Sequence, residues 1–135
     1  MQVAIAGGGG FVGLAIAEAL AKATLQVRLV DIKPPPEAAL RYLGDHSALG
    51  AVEVQVADVT DPKAAEHALE GVDAVVLAAA VTSGSERQRT APRDTLDTNI
   101  PGFPWPLAAP RAAGAQRVLH LSPGAAEGCT GITGQ

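Results

Sequence analysis

The chain has 135 residues, 47% of them apolar, and a formal net charge of −4 without a basic cluster. That length suits one domain with a core of its own, and the charge excludes the basic footprint that nucleic acid or an anionic membrane surface demands. A lone cysteine, Cys129, excludes an internal disulfide and a cysteine-based zinc site, which points to a reducing compartment and to the cytoplasm.

Apolar segments of strand length alternate with segments of helical period along the whole chain, the mark of a parallel sheet covered by helices. The first strand is expected at Val3 to Ala6 and the first helix from Phe11 to about Lys22, with Val12, Ile16 and Leu20 on one stripe and Ala15 and Ala19 beside them. Glu18 and Lys22 pair outward at i,i+4. This opening segment does not read as a signal peptide, because no Lys or Arg precedes it, glycines interrupt it and Glu18 charges it. A second strand follows at Gln26 to Asp31 and is stopped by Pro34-Pro35-Pro36. A short helix from Glu37 to about Leu43 should then end at Gly44.

The third strand is expected at Val52 to Ala57. In Thr60-Asp61-Pro62, Asp61 is an N-cap and Pro62 a first helical residue, starting a helix that ends near Gly71. Ala74 to Ala79 reads as the fourth strand. The longest apolar run there, Ala74 to Val81, has eight residues and is too short to cross roughly 30 Å of hydrocarbon. Between residues 99 and 114 the position demands a crossover helix, yet Pro101, Pro104, Pro106 and Pro110 fall in it. Each interior proline costs about 3 kcal/mol, so the helix must start late, with Pro106 in its first turn, or kink at Pro110. A broken or loosely packed element is expected. Arg117 to Leu121 is the fifth strand, and the tail from Pro123 to Gln135 reads as irregular.

One junction carries the chemistry. Residues 3 to 13 run from an apolar strand into a glycine turn and then a helix, and Asp31 stands eighteen residues beyond Gly13. That is the plan of a dinucleotide-binding site, since only residues without Cβ let the main chain turn tightly and bring its N–H groups to a pyrophosphate. Two glycine patterns overlap here, Gly8/Gly10/Gly13 and Gly7/Gly10/Gly13. Asp31 can accept both ribose hydroxyls and repel a 2′-phosphate, so NAD is favoured over NADP, although Lys33 weakens that exclusion.

The Gly7, Gly10, Phe11, Gly13 pattern resembles the T-G-x-x-G-F-x-G signature of the extended short-chain dehydrogenases/reductases, the NAD-dependent epimerase/dehydratase family. Further segments resemble the family in order. Asp58-Val59 is similar to its D-[IVL] pair at the adenine edge, and Asp58 also reads as a plain turn residue. Asp73-Ala-Val-Val-Leu-Ala-Ala-Ala-Val is similar to D-x-V-[IV]-H-L-A-A, with Leu77 in place of the histidine and Ala78, Ala79 and Ala80 lining the cofactor. Asn99-Ile100-Pro101-Gly102 resembles the N-[IV]-x-G that orders the active-site backbone, and Arg117-Val-Leu-His-Leu-Ser122 the fifth strand.

The resemblance implies a Rossmann-like, doubly wound α/β sheet of about five strands in the order 3-2-1-4-5, truncated relative to the family. Residues 1–122 would form an NAD(P)-binding domain and residues 123–135 the irregular tail. It implies NAD held by Gly7, Gly10, Phe11, Val12, Gly13, Asp31, Asp58, Val59, Ala78, Ala79, Ala80 and Asn99. A sugar-type substrate in a full-length form and a homodimer, through helices this chain supplies only in part, are implied as well.

The catalytic half of the family pattern does not match. Pro123 stands where the second serine of S-S-x-x-x-Y-G belongs, and the tyrosine of Y-x-x-x-K, a general acid/base, has no counterpart. Tyr42 is the only tyrosine, and four residues on stands His46 rather than lysine. No catalytic residue is therefore assigned. His46, His67 and His120 lack ligand spacing, so no metal site is expected, and Ser83-Gly84-Ser85 lacks the G-x-S-x-G elbow. The sequence reads as the NAD-binding portion of such an oxidoreductase, inactive alone. The alternatives are a non-catalytic dinucleotide-binding or redox-sensing module, and the FAD-binding start of a flavoprotein.

Overall fold

The computed structural model describes residues 1–47, 52–78 and 105–121, with side chains from residue 109 onward in the last of these segments. Five parallel strands, β1 (Gln2–Ala6), β2 (Gln26–Asp31), β3 (Glu53–Val56), β4 (Ala74–Leu77) and β5 (Arg117–His120), form one sheet in the order β3-β2-β1-β4-β5. Among the described residues four helices alternate with them: α1 (Phe11–Lys22), α2 (Glu37–His46), α3 (Pro62–Ala68) and α4 (Trp105–Ala112). This is the parallel sheet with covering helices that the alternation implied, in the Rossmann-like doubly wound order that the family resemblance implied. Of the expected strands, β2 has its expected bounds. β3 is shorter at both ends, and Ala79 lies outside the described residues.

Side chains alternate across the strands into two cores. On one face Val3, Ile5, Val27, Leu29 and Val76 pack with Ala17, Ala21 and Leu43, from α1 and α2. On the other, Ala4, Ala6, Val30, Val75 and Leu77 pack with Ala65, Ala68 and Leu69 around α3, and with Ala109 of α4. Burial on both sides explains why the central strands are apolar at consecutive positions.

The face that α1 turns to the sheet differs from the expected stripe. Gly13, Ala17 and Ala21 are the buried residues, while Val12, Ala15 and Ala19 are exposed and Leu14, Ile16 and Leu20 flank the contact half-buried. The reason is distance. A Cβ on Gly13 would stand 2.3 Å from the Gly7 carbonyl oxygen, so the helix start lies too close to β1 for anything but small residues along the contact line.

α2 also runs further than expected, through Gly44 to His46. The His46 ring stacks on Tyr42 with centroids 4.1 Å apart, and its Nδ1 donates to the Tyr42 carbonyl at 2.8 Å. That bond holds the extra turn, and Gly44 meets no atom that would force a break. α3 follows the sequence closely: Asp61 caps it by accepting from Lys63 N and Ala64 N, Pro62 is its first residue, and Gly71 has a left-handed φ of +76° beyond its end.

α4 does start late, at Trp105, with Pro106 in its first turn and Pro110 inside. It is not loosely packed. Ala109 and Pro110 are buried, Ala109 within the cluster around α3, and the helix end is closed by Ala113 N to the Ala109 carbonyl at 2.9 Å and Ala115 N to the Pro110 carbonyl at 2.8 Å. Burial of this apolar turn offsets the hydrogen bond that Pro110 cannot donate.

Candidate functional site

The chain lays β2 and β3 to one side of β1 and β4 and β5 to the other, so the order reverses between β1 and β4. A crevice opens at such a reversal beyond the carboxyl ends of the strands. β1 enters it through the run Gly7 to Gly10. Gly7 takes a φ of +82°, a left-handed conformation natural to glycine. Gly7 N and Gly8 N both donate to the Val30 carbonyl, at 2.8 and 3.1 Å, which stitches the loop onto β2. Gly10 N then donates to the Gly7 carbonyl at 3.2 Å, and Leu14 N to the Gly10 carbonyl at 2.9 Å.

These bonds distinguish the two overlapping patterns. Gly7, Gly10 and Gly13 meet around one carbonyl oxygen, that of Gly7. Gly8 is instead wedged against the Ile5 carbonyl and Leu29, where a Cβ would come within 2.9 Å. Gly10 is different again, because a Cβ there would find no atom nearer than 3.5 Å. The fold itself does not need that position bare, and it fronts the helix start.

α1 begins with an uncapped end. Gly10 is its N-cap, no side chain accepts from the first turn, and no acidic residue stands in that turn. The N–H groups of Phe11, Val12 and Gly13 therefore have no intrahelical acceptor, and the helix dipole adds positive potential in front of them. Phe11 is 90% exposed and Val12 52% exposed. Bare donors, a glycine without steric need and open space in front together fit a diphosphate.

Asp31 closes β2 beside this loop. Its Oδ2 accepts from Gly9 N at 2.9 Å and its Oδ1 from Ile32 N at 2.8 Å. Both oxygens are thus fixed by backbone donors and keep further lone pairs for a ligand, the arrangement that a pair of vicinal hydroxyls requires. The Gly9 bond is a contact the sequence reading did not anticipate, since position 9 is unspecified in both glycine patterns.

The remaining candidates divide. Ala78 extends β4 along the crevice, half-buried, with its N–H donating to the Ala6 carbonyl at 2.8 Å. Asp58, at the end of β3, builds a turn: its Oδ1 accepts from Thr60 N at 2.8 Å and from Thr60 Oγ1 at 2.6 Å, and its carbonyl accepts from Asp61 N. Val59 packs half-buried against the α3 core. Ala79, Ala80 and Asn99 lie outside the described residues. Tyr42 stands on α2 beside α1 and takes no part in the hydrogen bonds of the glycine loop. Its hydroxyl donates to Glu18 Oε1 at 2.9 Å, in the second half of α1, and that bond pushes its pKa up. Among the described residues no group of three or more His, Cys, Asp or Glu is placed to hold a metal ion.

Residues 3–130 match the model of the NAD dependent epimerase/dehydratase family. The chain belongs to that family. Among solved structures, the epimerase/dehydratase chain described here resembles a UDP-glucose-4-epimerase from Stenotrophomonas maltophila with bound NAD and formylated UDP-arabinopyranose. Identity is 26% and the TM-score 0.80, over 93% of this chain and 38% of that one. It is also similar to a dTDP-glucose 4,6-dehydratase double mutant from Streptomyces venezuelae with NAD bound, at 28% identity and a TM-score of 0.74, over 90% of this chain and 39% of the other. A short-chain dehydrogenase/reductase superfamily protein from Agrobacterium tumefaciens with bound NAD matches at 27% identity and a TM-score of 0.70, over 92% of this chain and 33% of that chain. The family member described here thus spans well under half the length of these solved chains. No curated protein matches it significantly in sequence. Among the described residues no helix is long and apolar enough to cross a membrane.

Proposed function

We propose that this chain binds NAD as the cofactor-holding part of an epimerase/dehydratase-type oxidoreductase. The observation that carries the reading is the pairing of an uncapped glycine loop with a carboxylate fixed beside it, Asp31 on Gly9 N and Ile32 N. In this reading the amides of Phe11 and Val12, with Gly7, Gly10 and Gly13 keeping the approach clear, hold the diphosphate. Asp31 accepts from the adenosine ribose hydroxyls and disfavours a 2′-phosphate, so NADP binds less well. Asp58 and Val59 border the adenine, Ala78, Ala79 and Ala80 line the crevice, and Asn99 orders the backbone beyond it. Bound NAD supplies the hydride acceptor.

The substrate of a full-length form, in this proposal, is a nucleotide sugar or a related sugar. The neighbours from Stenotrophomonas maltophila and Streptomyces venezuelae, a UDP-glucose-4-epimerase and a dTDP-glucose 4,6-dehydratase, support that class. The chain by itself binds rather than turns over, because Tyr42 is tied to Glu18 and has no lysine four residues on. We place the protein in the cytoplasm, as a homodimer in its full-length form. Titration with NADH, NADPH and FAD tests the cofactor: NADH should bind tightest. Binding of FAD alone, or a preference for NADPH, would overturn the assignment.

A further inference from the structure

Gly9 is the position that neither glycine pattern specifies, and its backbone does not require glycine. The left-handed glycines of the described chain are Gly7, Gly71 and Gly114. A Cβ on Gly9 would nevertheless stand 3.0 Å from Asp31 Oδ2, 3.3 Å from Asp31 Cγ and 3.4 Å from the Lys33 carbonyl oxygen. At Gly8 the nearest neighbours are the Ile5 carbonyl oxygen and Leu29 Cα and Cβ, and at Gly10 the Gly7 carbonyl oxygen. At Gly9 the nearest neighbour is the carboxylate.

From this geometry, and resting on the NAD reading above, we infer that Gly9 is a positioning residue for cofactor selectivity: its N–H holds the Asp31 carboxylate while its missing side chain leaves that carboxylate its place. The carboxylate has little room to yield. Its second oxygen is tied to Ile32 N, so it cannot swing away from position 9 without breaking one of two hydrogen bonds, and the Lys33 carbonyl limits the space that a side chain at position 9 could take instead. A larger residue at this position displaces the acid. A displaced acid accepts less well from the ribose hydroxyls and repels a 2′-phosphate less, so binding of NADH falls while binding of NADPH falls less or rises.

The test is a selectivity cycle. Dissociation constants for NADH and NADPH are measured by fluorescence titration on the full chain and on Gly9→Ala, Gly9→Val, Asp31→Ala and the Gly9→Val/Asp31→Ala double variant. Gly9→Val should reduce the preference for NADH over NADPH by about tenfold, the scale of one charge-assisted hydrogen bond, and Gly9→Ala by less. In the Asp31→Ala background the Gly9 change should leave the preference unmoved. Equal weakening of both dinucleotides, or the same change of preference with Asp31 removed, overturns the inference. If thermal melting shows Gly9→Val to be unfolded, Gly9→Ala decides by the same cycle. A wild-type chain that binds neither dinucleotide overturns the NAD reading and this inference with it. One that binds NADH while Gly9→Val keeps its selectivity overturns this inference alone.

Discussion

The two ends of the sheet treat their polar groups in opposite ways. At the amino edge they close on one another: Gln2 N donates to Asp73 Oδ2 at 2.7 Å, Gln2 Nε2 donates to Glu53 Oε2 at 2.7 Å, and Arg28 Nε pairs with the same Glu53 oxygen at 3.0 Å. That ion pair is not aligned as a hydrogen bond, so the buried Arg28 Nε has none. Arg28 Nη1 makes up for it by donating to the Ala68 and Glu70 carbonyls at 3.0 and 2.7 Å, which closes the end of α3. At the carboxyl edge, the glycine loop meets a helix start without a side-chain cap, and among the described residues the carboxylate beside it, Asp31, is bonded to backbone alone. An edge whose donors find partners inside the protein holds the fold. An edge whose donors are left over is available to a ligand.

Substitutions at the two edges should separate folding from binding. The largest effect belongs to Gly13→Val, because the Gly7 carbonyl 2.3 Å from the new Cβ cannot move without tearing β1 from α1. We expect about 2–4 kcal/mol of lost stability and no measurable NADH binding, read by urea unfolding and by titration. A Gly13→Val protein as stable as wild type would show that α1 does not dock as described. Next comes Arg28→Ala. The arginine side chain is only 14% exposed, and its removal takes the donor from two helix-end carbonyls and the cation from Glu53, which keeps only its bond from Gln2 Nε2. A loss of about 1.5–3 kcal/mol in urea unfolding is expected, with the NADH dissociation constant unchanged. A change in NADH binding without loss of stability would contradict the division of labour between the edges.

Asp31→Ala should do the reverse. It should weaken NADH by about tenfold to a hundredfold, the equivalent of one or two charge-assisted hydrogen bonds, and narrow the gap to NADPH, while shifting the melting temperature little. Unchanged NADH affinity would remove the ribose role.

The smallest effect concerns pH. Lys22 and then Tyr42, both hydrogen-bonded to Glu18, hold its carboxyl below the usual value, and the same carboxylate holds Lys22 and Tyr42 above theirs. Glu18 with its depressed pKa contributes stability that is present above its unfolded pKa and is lost as pH falls through its folded one. Lys22 and Tyr42 with raised pKa values contribute stability that is present below their unfolded values and is lost as pH rises through their folded ones. Lys22 and Tyr42 are exposed and Glu18 is half-buried, so the α1–α2 clamp should weaken only slightly at both extremes. Thermal melting of Tyr42→Phe against wild type checks this: the variant should lose part of the acid and alkaline dependence and keep the neutral plateau.

Much of the fold was legible because local chemistry fixed it. The strand at Gln26 to Asp31 and the helix from Phe11 to Lys22 have the bounds that apolar runs and glycine punctuation set. Asp61 and Pro62 start α3 as cap and first residue. The glycine loop and Asp31 stand together because a strand, a turn and a helix leave them no other arrangement in a parallel sheet. Other features depended on neighbours distant in sequence. The buried line on α1 follows Gly13, Ala17 and Ala21 because the Gly7 carbonyl sets the helix-to-sheet distance. α2 gains a turn from the Tyr42 and His46 rings, and Pro110 is accommodated because it is buried. Asp58 spends one oxygen on Thr60, a contact that a D-[IVL] pair does not announce.

By itself, the sequence determined the element types, their succession and the chemistry gathered after the first strand, since hydrophobic period, capping residues and glycine placement act over a few residues each. Only the tertiary structure decided which glycine meets which atom: Gly13 touching Gly7, Gly10 with room for a Cβ and Gly9 set against Asp31. Those relations depend on how closely β1, β2 and α1 pack, and steric contact between segments far apart in the chain leaves no periodic trace along it.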